Sequence, residues 1–280
     1  MAGERSQAER WVSFAAGIVA PVTLISGLLF YFGYVSARAQ YEYFGIDVDT
    51  VGLSTQDYVM RSPQPLLVPL LAFALLAVAA LLLHNVIRAH LAVGPLRHAR
   101  IVATAVLVVG IAGLLAHPLI GDIAYYALVV PVVIGLAAAA LGYVSFLTTK
   151  ARPELGNQHV LLGLLAVVTI TCAFWATATT AQYSGRALAK SDAEHLGQFP
   201  VVILDTKERL QLRSPGIEET VLRPGAGQTF NFRYRGLRLL VVGENRLFLV
   251  PQKWSASDTT FVVPLDGSIR VQFQFQNDPP

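Results

Sequence analysis

The sequence predicts a membrane bundle of five transmembrane helices followed by a small all-β extracytoplasmic domain, a sandwich or a barrel. Three observations predict it. Five apolar runs, at 11–35, 65–87, 101–115, 123–147 and 160–181, contain no acid, Lys or Arg. Four of them reach the roughly 20 residues that a spanning helix needs. Residues 183–280 hold 12 of the 21 Lys and Arg and 10 of the 18 Asp and Glu, so the charge gathers after the last run. In that last third, apolar and polar residues alternate with period two, the pattern of a half-buried strand. The domains expected are 1–182 for the five-helix part, 183–198 for a linker and 199–280 for the β-domain.

The first run begins after a tail bearing Arg5 and Arg10. A competing reading makes it a signal peptide, because Ala37-Arg38-Ala39 has the A-x-A form of a cleavage site. An apolar stretch of more than 20 residues argues against it, since a signal core is about 7–15 residues long. The third run is short and is expected to borrow residues 117–119. Pro21, Pro69 and Pro131 fall inside spans and should bend them, which a bundle tolerates.

Between the first two runs, residues 34–64 form the most distinctive polar segment. Tyr31, Phe32, Tyr34, Tyr41, Tyr43 and Phe44 cluster where aromatic rings settle at a membrane interface. Ser54 with Asp57 three residues on predicts the cap of a short helix that Pro63 and Pro65 end. Asp47, Asp49 and Asp57 suggest a calcium site through their D-x-D spacing, but no Gly-centred loop with a closing Glu follows, so a solvated acidic loop is expected.

Here the chain resembles a known group. The residues 41–46 (YEYFGI), Leu53-Ser54, Asp57-Tyr58 and Arg61-Ser62 are similar to segments of uncharacterised actinobacterial (Streptomyces-like) multi-pass membrane proteins with a C-terminal β-domain. The similarity extends to 234–240 and 268–273. An excess of Arg over Lys, 17 to 4, fits the GC-rich coding of such sources. The group has no assigned activity, so the resemblance implies the layout and transfers no chemistry.

In the fifth run Thr169, Ala173, Thr177 and Ala181 recur every four residues, and Cys172, Ala176 and Thr180 form a second row beside them. Small residues on one face let helix backbones approach closely. Gly135 and Ala139 repeat the motif in the fourth run. The first reading of Thr169, Ala173, Thr177 and Thr180 is helix packing, and a second makes them a pore face. Cys172 is the single cysteine and reads as a buried packing residue.

Lys and Arg set the orientation. Seven lie in the N-terminal tail and in the loops after the second and fourth runs, and two in the loops after the first and third. Positive loops stay cytoplasmic. The expectation is a multi-pass cell-membrane protein with its N-terminus cytoplasmic and its C-terminus extracytoplasmic.

In the β-domain, strands are expected at 200–205, 209–213, 229–235, 237–242, 246–250, 259–265 and 268–275. Asp266-Gly267 is the strongest short hairpin signal in the chain. In 229–235, Phe230, Phe232 and Tyr234 take one face and Asn231, Arg233 and Arg235 the other. Ile269, Val271, Phe273 and Phe275 likewise oppose Arg270, Gln272 and Gln274. Arg233, Arg235 and Arg238 are the candidate contacts to an anionic surface, with a solvated sheet face as the plainer reading.

Function is less legible. A net charge of +3, spread over loops and strands, excludes a nucleic-acid patch. No HExxH, G-x-S-x-G, Walker or dinucleotide motif occurs. His84, His90 and His98 lack a metal-binding spacing, and His117 with Asp122 makes a pair but no triad. No enzyme activity, metal or cofactor is expected. The reading is a non-enzymatic multi-pass membrane protein that presents the β-domain to an envelope protein or anionic polymer. The alternative is an oligomeric channel or permease lined by the fifth helix.

Overall fold

The structure, a computed structural model, describes residues 2–90, 94–120, 123, 125–151, 158–223, 225, 228–255 and 257–274. The element order is α1 (Ala2–Tyr43), α2 (Val48–Val51), α3 (Thr55–Arg61), α4 (Pro63–His90), α5 (Gly94–Leu115), α6 (His117–Ile120), α7 (Tyr126–Ala151) and α8 (Gln158–Glu194). A 3-10 turn (Leu196–Gln198) follows, then β1 (Val201–Thr206), β2 (Glu218–Val221), β3 (Phe232–Val242), β4 (Arg246–Pro251), β5 (Phe261–Pro264) and β6 (Ile269–Gln274). Among the described residues five helices are long and apolar enough to cross a membrane: Val19–Tyr43, Pro63–Ile87, Leu96–Leu115, Tyr126–Leu147 and Gln158–Glu194. The third reaches its 20 residues by extending upstream through Arg100 and Arg97. It does not borrow residues 117–119, because the helix breaks at Ala116 and His117 opens the separate α6.

The chain divides into two compact units, Gln64–Ala181 and the pair of segments Met1–Pro63 with Gln182–Pro280. This partition differs from a helical part joined by a linker to a β-part. Residues 183–194, expected as linker, continue α8 as helix. The first helix and the loop after it group with the sheet.

In the helical unit, close approach is set by small residues. Gly110 of α5 lies against Ile134 of α7, and Gly113 faces Val130. Tyr126, Val130, Ile134 and Cys172 form one buried cluster. The Tyr126 hydroxyl donates to the Gly113 carbonyl, and the His84 imidazole shares a 2.6 Å hydrogen bond with the Tyr143 hydroxyl.

In the other unit, local chemistry behaves as the sequence dictates. Asp47 caps α2, accepting from the Asp49 amide at 3.2 Å, and Gly52 ends it in the left-handed region at φ 74°. Ser54 and Asp57 form the full capping box of α3: Ser54 Oγ accepts from the Asp57 amide at 3.2 Å, and the Asp57 carboxylate accepts from the Ser54 amide at 2.8 Å. Pro63, expected as a stop, instead occupies the first position of α4, where its missing N–H costs nothing. The acidic loop therefore spends two of its carboxylates on helix caps. Among the described residues no group of three His, Cys, Asp or Glu is placed to hold a metal.

The six strands make one antiparallel sheet with the order β5-β4-β3-β1-β6, and β2 also pairs with β3. It is an open sheet, not the expected closed barrel or two-sheet sandwich. The two strands expected at 229–235 and 237–242 are the single 11-residue β3. On one edge β1 pairs along Phe232–Arg238; on the other, β2 pairs with Phe232–Arg235 and β4 with Leu237–Val242. Gly236, at φ 81°, sits where β3 changes partner, and the Gly216 backbone approaches so closely that a side chain would overlap it. Residues 209–213, expected as a strand, are irregular, and the Leu210 amide donates to the Tyr234 hydroxyl at 2.8 Å.

The Asp266-Gly267 hairpin does not form. Its flanking strands pair elsewhere, β5 with β4 and β6 with β1, at opposite edges of the sheet. Only residues 265–268 connect them, so the sheet coils until its two edges share a corner. There the Leu265 amide donates to the Asn245 carbonyl at 2.9 Å and the Lys207 amide to the Ser268 carbonyl at 3.1 Å.

Two cores result. Val202, Leu204, Tyr234, Leu237, Leu247, Leu249 and Val263 fill the inside of the coiled sheet. On the other face Phe248 and Val250 of β4 bury against Ala37, Tyr41 and Phe44 of the first helix and its end, Ile46, Val48, Val51, Tyr58, and Ala189 of α8. β4 is thus covered on both sides. Tyr41 and Phe44, expected at the lipid interface, belong to this core and are almost fully buried. Ala37 and Ala39 are also buried within α1, so cleavage at that site would cut through packed helix.

Candidate functional site

The best-defined polar constellation lies on the face of the sheet opposite its inner core. Register places Thr220 of β2, Arg233 of β3, Asp205 of β1 and Arg270 of β6 in one cross-strand row. Asp205 stands opposite an arginine on each side. Its carboxylate is fully buried and accepts from Arg233 Nε at 2.8 Å and Nη2 at 3.0 Å. It also accepts from Arg270 Nε at 3.1 Å and from Arg270 Nη2. A buried charge is tolerated only when paired and hydrogen-bonded, and here two forks satisfy one carboxylate.

The electrostatics follow from that geometry. The Arg233 hydrogen bond holds the Asp205 carboxyl below the usual carboxylate range; burial opposes this, and Arg270 adds to it. The same bond raises Arg233. The Phe230 ring lies under Arg270, whose guanidinium carbon is 5.0 Å from its centroid. Leu222, Gln228, Thr229, Phe230, Arg233 and Arg270 line a cleft of about 380 Å³.

Arg233, Arg235 and Arg238 do not form one patch. Arg233 is committed to Asp205. Arg235 is exposed, opposite Glu218 of β2. Arg238 is buried, 4% exposed, and donates to the Phe199 carbonyl at 2.8 Å and the Gly197 carbonyl at 3.3 Å. Burial lowers its pKa from the usual arginine value. It holds the turn after α8 against β3 and has no surface to meet a ligand. The irregularity in the β1–β3 register between Val202 and Leu204 separates it from the alternation that Arg233 and Arg235 follow.

In α8, Thr169, Thr177 and Thr180 each donate at 2.8 Å to the carbonyl four residues back, Leu165, Ala173 and Ala176 respectively. Toward α7 the close contact is made by Cys172. Gly135 of α7 meets Cys172, where an added Cβ would lie 3.0 Å from the Cys172 Cβ. Ala139 is exposed, and Ala137 and Ala138 are buried alanines of that helix. Asp122, expected beside His117, and Phe275 lie outside the described residues. His117 packs edge-on against Tyr126, with ring centroids 5.5 Å apart.

Sequence reasoning missed Asp205 and left Arg270 merely on a polar face. A signal existed: an acid closing the otherwise apolar strand Val201–Thr206 needs partners, and arginines on alternating positions of two other strands can supply them. Which strands would flank it was not readable. No protein-family model matches this chain, and neither the curated proteins nor the solved structures contain a match to it.

Proposed function

We propose that this is a non-enzymatic multi-pass membrane protein whose β-sheet unit is extracytoplasmic and binds an envelope protein or polymer, held in a fixed orientation by helix ends. The observation that carries the reading is the shared core of β4 with α1, α3 and α8. A sheet packed this way is a rigid mount, because Phe248 and Val250 cannot leave the helix ends without exposing apolar surface.

The same core supports the topology. Thr260 donates to the Phe44 carbonyl at 2.7 Å, so the loop after α1 and the sheet lie on one side of the membrane. An even number of crossings must then separate Tyr43 from Val201. Crossing by α4, α5, α7 and α8 satisfies this, including the short third span. The Lys and Arg bias makes that side the outside. The channel alternative has less support, since the Thr169, Thr177 and Thr180 hydroxyl protons are used within their own helix.

The test uses the full chain in its own membrane. A photoreactive residue replacing Arg235 should give a discrete envelope adduct on intact cells, and one replacing Ser257 serves as a second position on the same unit. The reading fails if no sheet position gives an adduct while residues 1–198 alone restore the phenotype of a deletion strain.

A further inference from the structure

We infer that the cleft lined by Leu222, Gln228, Thr229 and Phe230 beside the Arg233–Asp205–Arg270 row binds a phosphate group. The inference rests on the reading of the sheet as a binding surface and names the chemistry it takes. Two guanidinium groups face one carboxylate, so the row carries an uncompensated positive charge. Both arginines use Nε and Nη2 on Asp205, and among the described residues neither Nη1 has a hydrogen-bond partner. Asp205 is at 0% exposure beneath them, so an incoming anion meets the guanidinium edges and not the carboxylate.

The arginines are also fixed in advance. Asp205 grips each through two nitrogens, and Phe230 supports the Arg270 plane from below. Arginine forks held in one orientation suit a tetrahedral oxyanion, which offers several acceptors at once, and little side-chain entropy remains to be lost on binding. Arg270 keeps 49% of its side chain exposed, Arg233 25%, so both remain reachable. Thr229 and Gln228 add neutral polar groups to the lining, and none of the described lining residues is an acid. A volume of about 380 Å³ admits a phosphate with a small organic substituent.

Isothermal titration of the full chain, purified in a zwitterionic detergent, tests this with two soluble probes: inorganic phosphate and glycerophosphoglycerol, a phosphodiester of the kind carried by lipid headgroups and wall polymers. Saturable binding of either supports the site. Tighter binding of the diester assigns the source to a headgroup or polymer, and tighter binding of inorganic phosphate assigns it to the free ion. Arg270→Gln, which leaves Arg233 on Asp205, should weaken binding about tenfold or more, the cost of one charged donor. Phe230→Leu should weaken it by a smaller factor, and Arg246→Gln, at the exposed start of β4 and outside the cleft, should leave it unchanged. Absence of saturable binding overturns the proposal, as does equal weakening by Arg246→Gln and Arg270→Gln. If phosphate fails to bind while the crosslink from position 235 persists, the cleft assignment falls and the wider binding reading stands.

Discussion

Gly185 of α8 lies directly against the backbone carbonyl of Ser36 in α1, with no room between them for a methyl group. This contact joins two helices distant in sequence just where they carry the sheet. Nearby, Gln40 Nε2 donates to the Asp192 carboxylate at 2.8 Å, so the two helix ends are held by both shape and a hydrogen bond. Gly33 makes the equivalent close approach to the Tyr58 carbonyl of α3.

Gly185→Leu should therefore force α1 and α8 apart and loosen the sheet from its mount. Overpacking of this kind costs about 1–3 kcal/mol, and backbone contact places it at the upper end. Thermal melting followed by tryptophan fluorescence should show a lowered midpoint, since Trp254 packs on the same core. An unchanged midpoint would mean that the helices do not meet there.

Asp205 makes the stability of the sheet depend on acid. Its pKa in the fold is held below the unfolded value of about 3.9, so its contribution is present above that pH and is lost as pH falls through the folded value. At pH 7, Asp205→Asn should destabilise the sheet by about 1–3 kcal/mol, because the charged acceptor of both forks is lost while the two arginines stay partly solvated. Melting curves of both proteins should converge as pH drops below about 4. A constant gap across that range would show that the ion pairs do not form.

Arg238 separates structure from binding. Arg238→Leu removes the Nη1 group that donates both hydrogen bonds to the turn after α8, and leaving the Gly197 and Phe199 carbonyls unpaired should cost about 1–3 kcal/mol. The same variant, measured by titration with phosphate below its melting point, should bind as tightly as the wild type. Weakened binding with unchanged stability would place Arg238 at the ligand instead.

Orientation can be read chemically. In a Cys172→Ala background, a cysteine replacing the exposed Ser257 should react with a membrane-impermeant maleimide on whole cells. Labelling that appears only after lysis would put the sheet in the cytoplasm and remove the envelope as its ligand source.

How much of this was legible in the sequence differs from feature to feature. The Ser54–Asp57 cap was readable because both partners lie within one helical turn and the interaction is local. The alternation in 229–235 was readable because strand geometry alone sends Phe232 and Tyr234 to one side and Arg233 and Arg235 to the other. The Asp266-Gly267 signal was also local, yet tertiary pairing overrode it. β5 pairs with β4 and β6 with β1 instead, each flank of the turn finding its partner in a strand distant in sequence.

The sequence by itself determined the five apolar runs, the helical and β division and the uneven Lys and Arg content of the segments between the runs, because bilayer thickness and strand pleat impose fixed periods on any chain that satisfies them. Only the tertiary structure decided that the first loop and the sheet share a core. It alone paired Asp205 with two arginines 28 and 65 residues away, and took Arg238 out of the solvent. These are contacts between segments far apart along the chain. Their partners depend on strand order and on bulges that shift the register, and neither leaves a periodic trace in the amino-acid sequence.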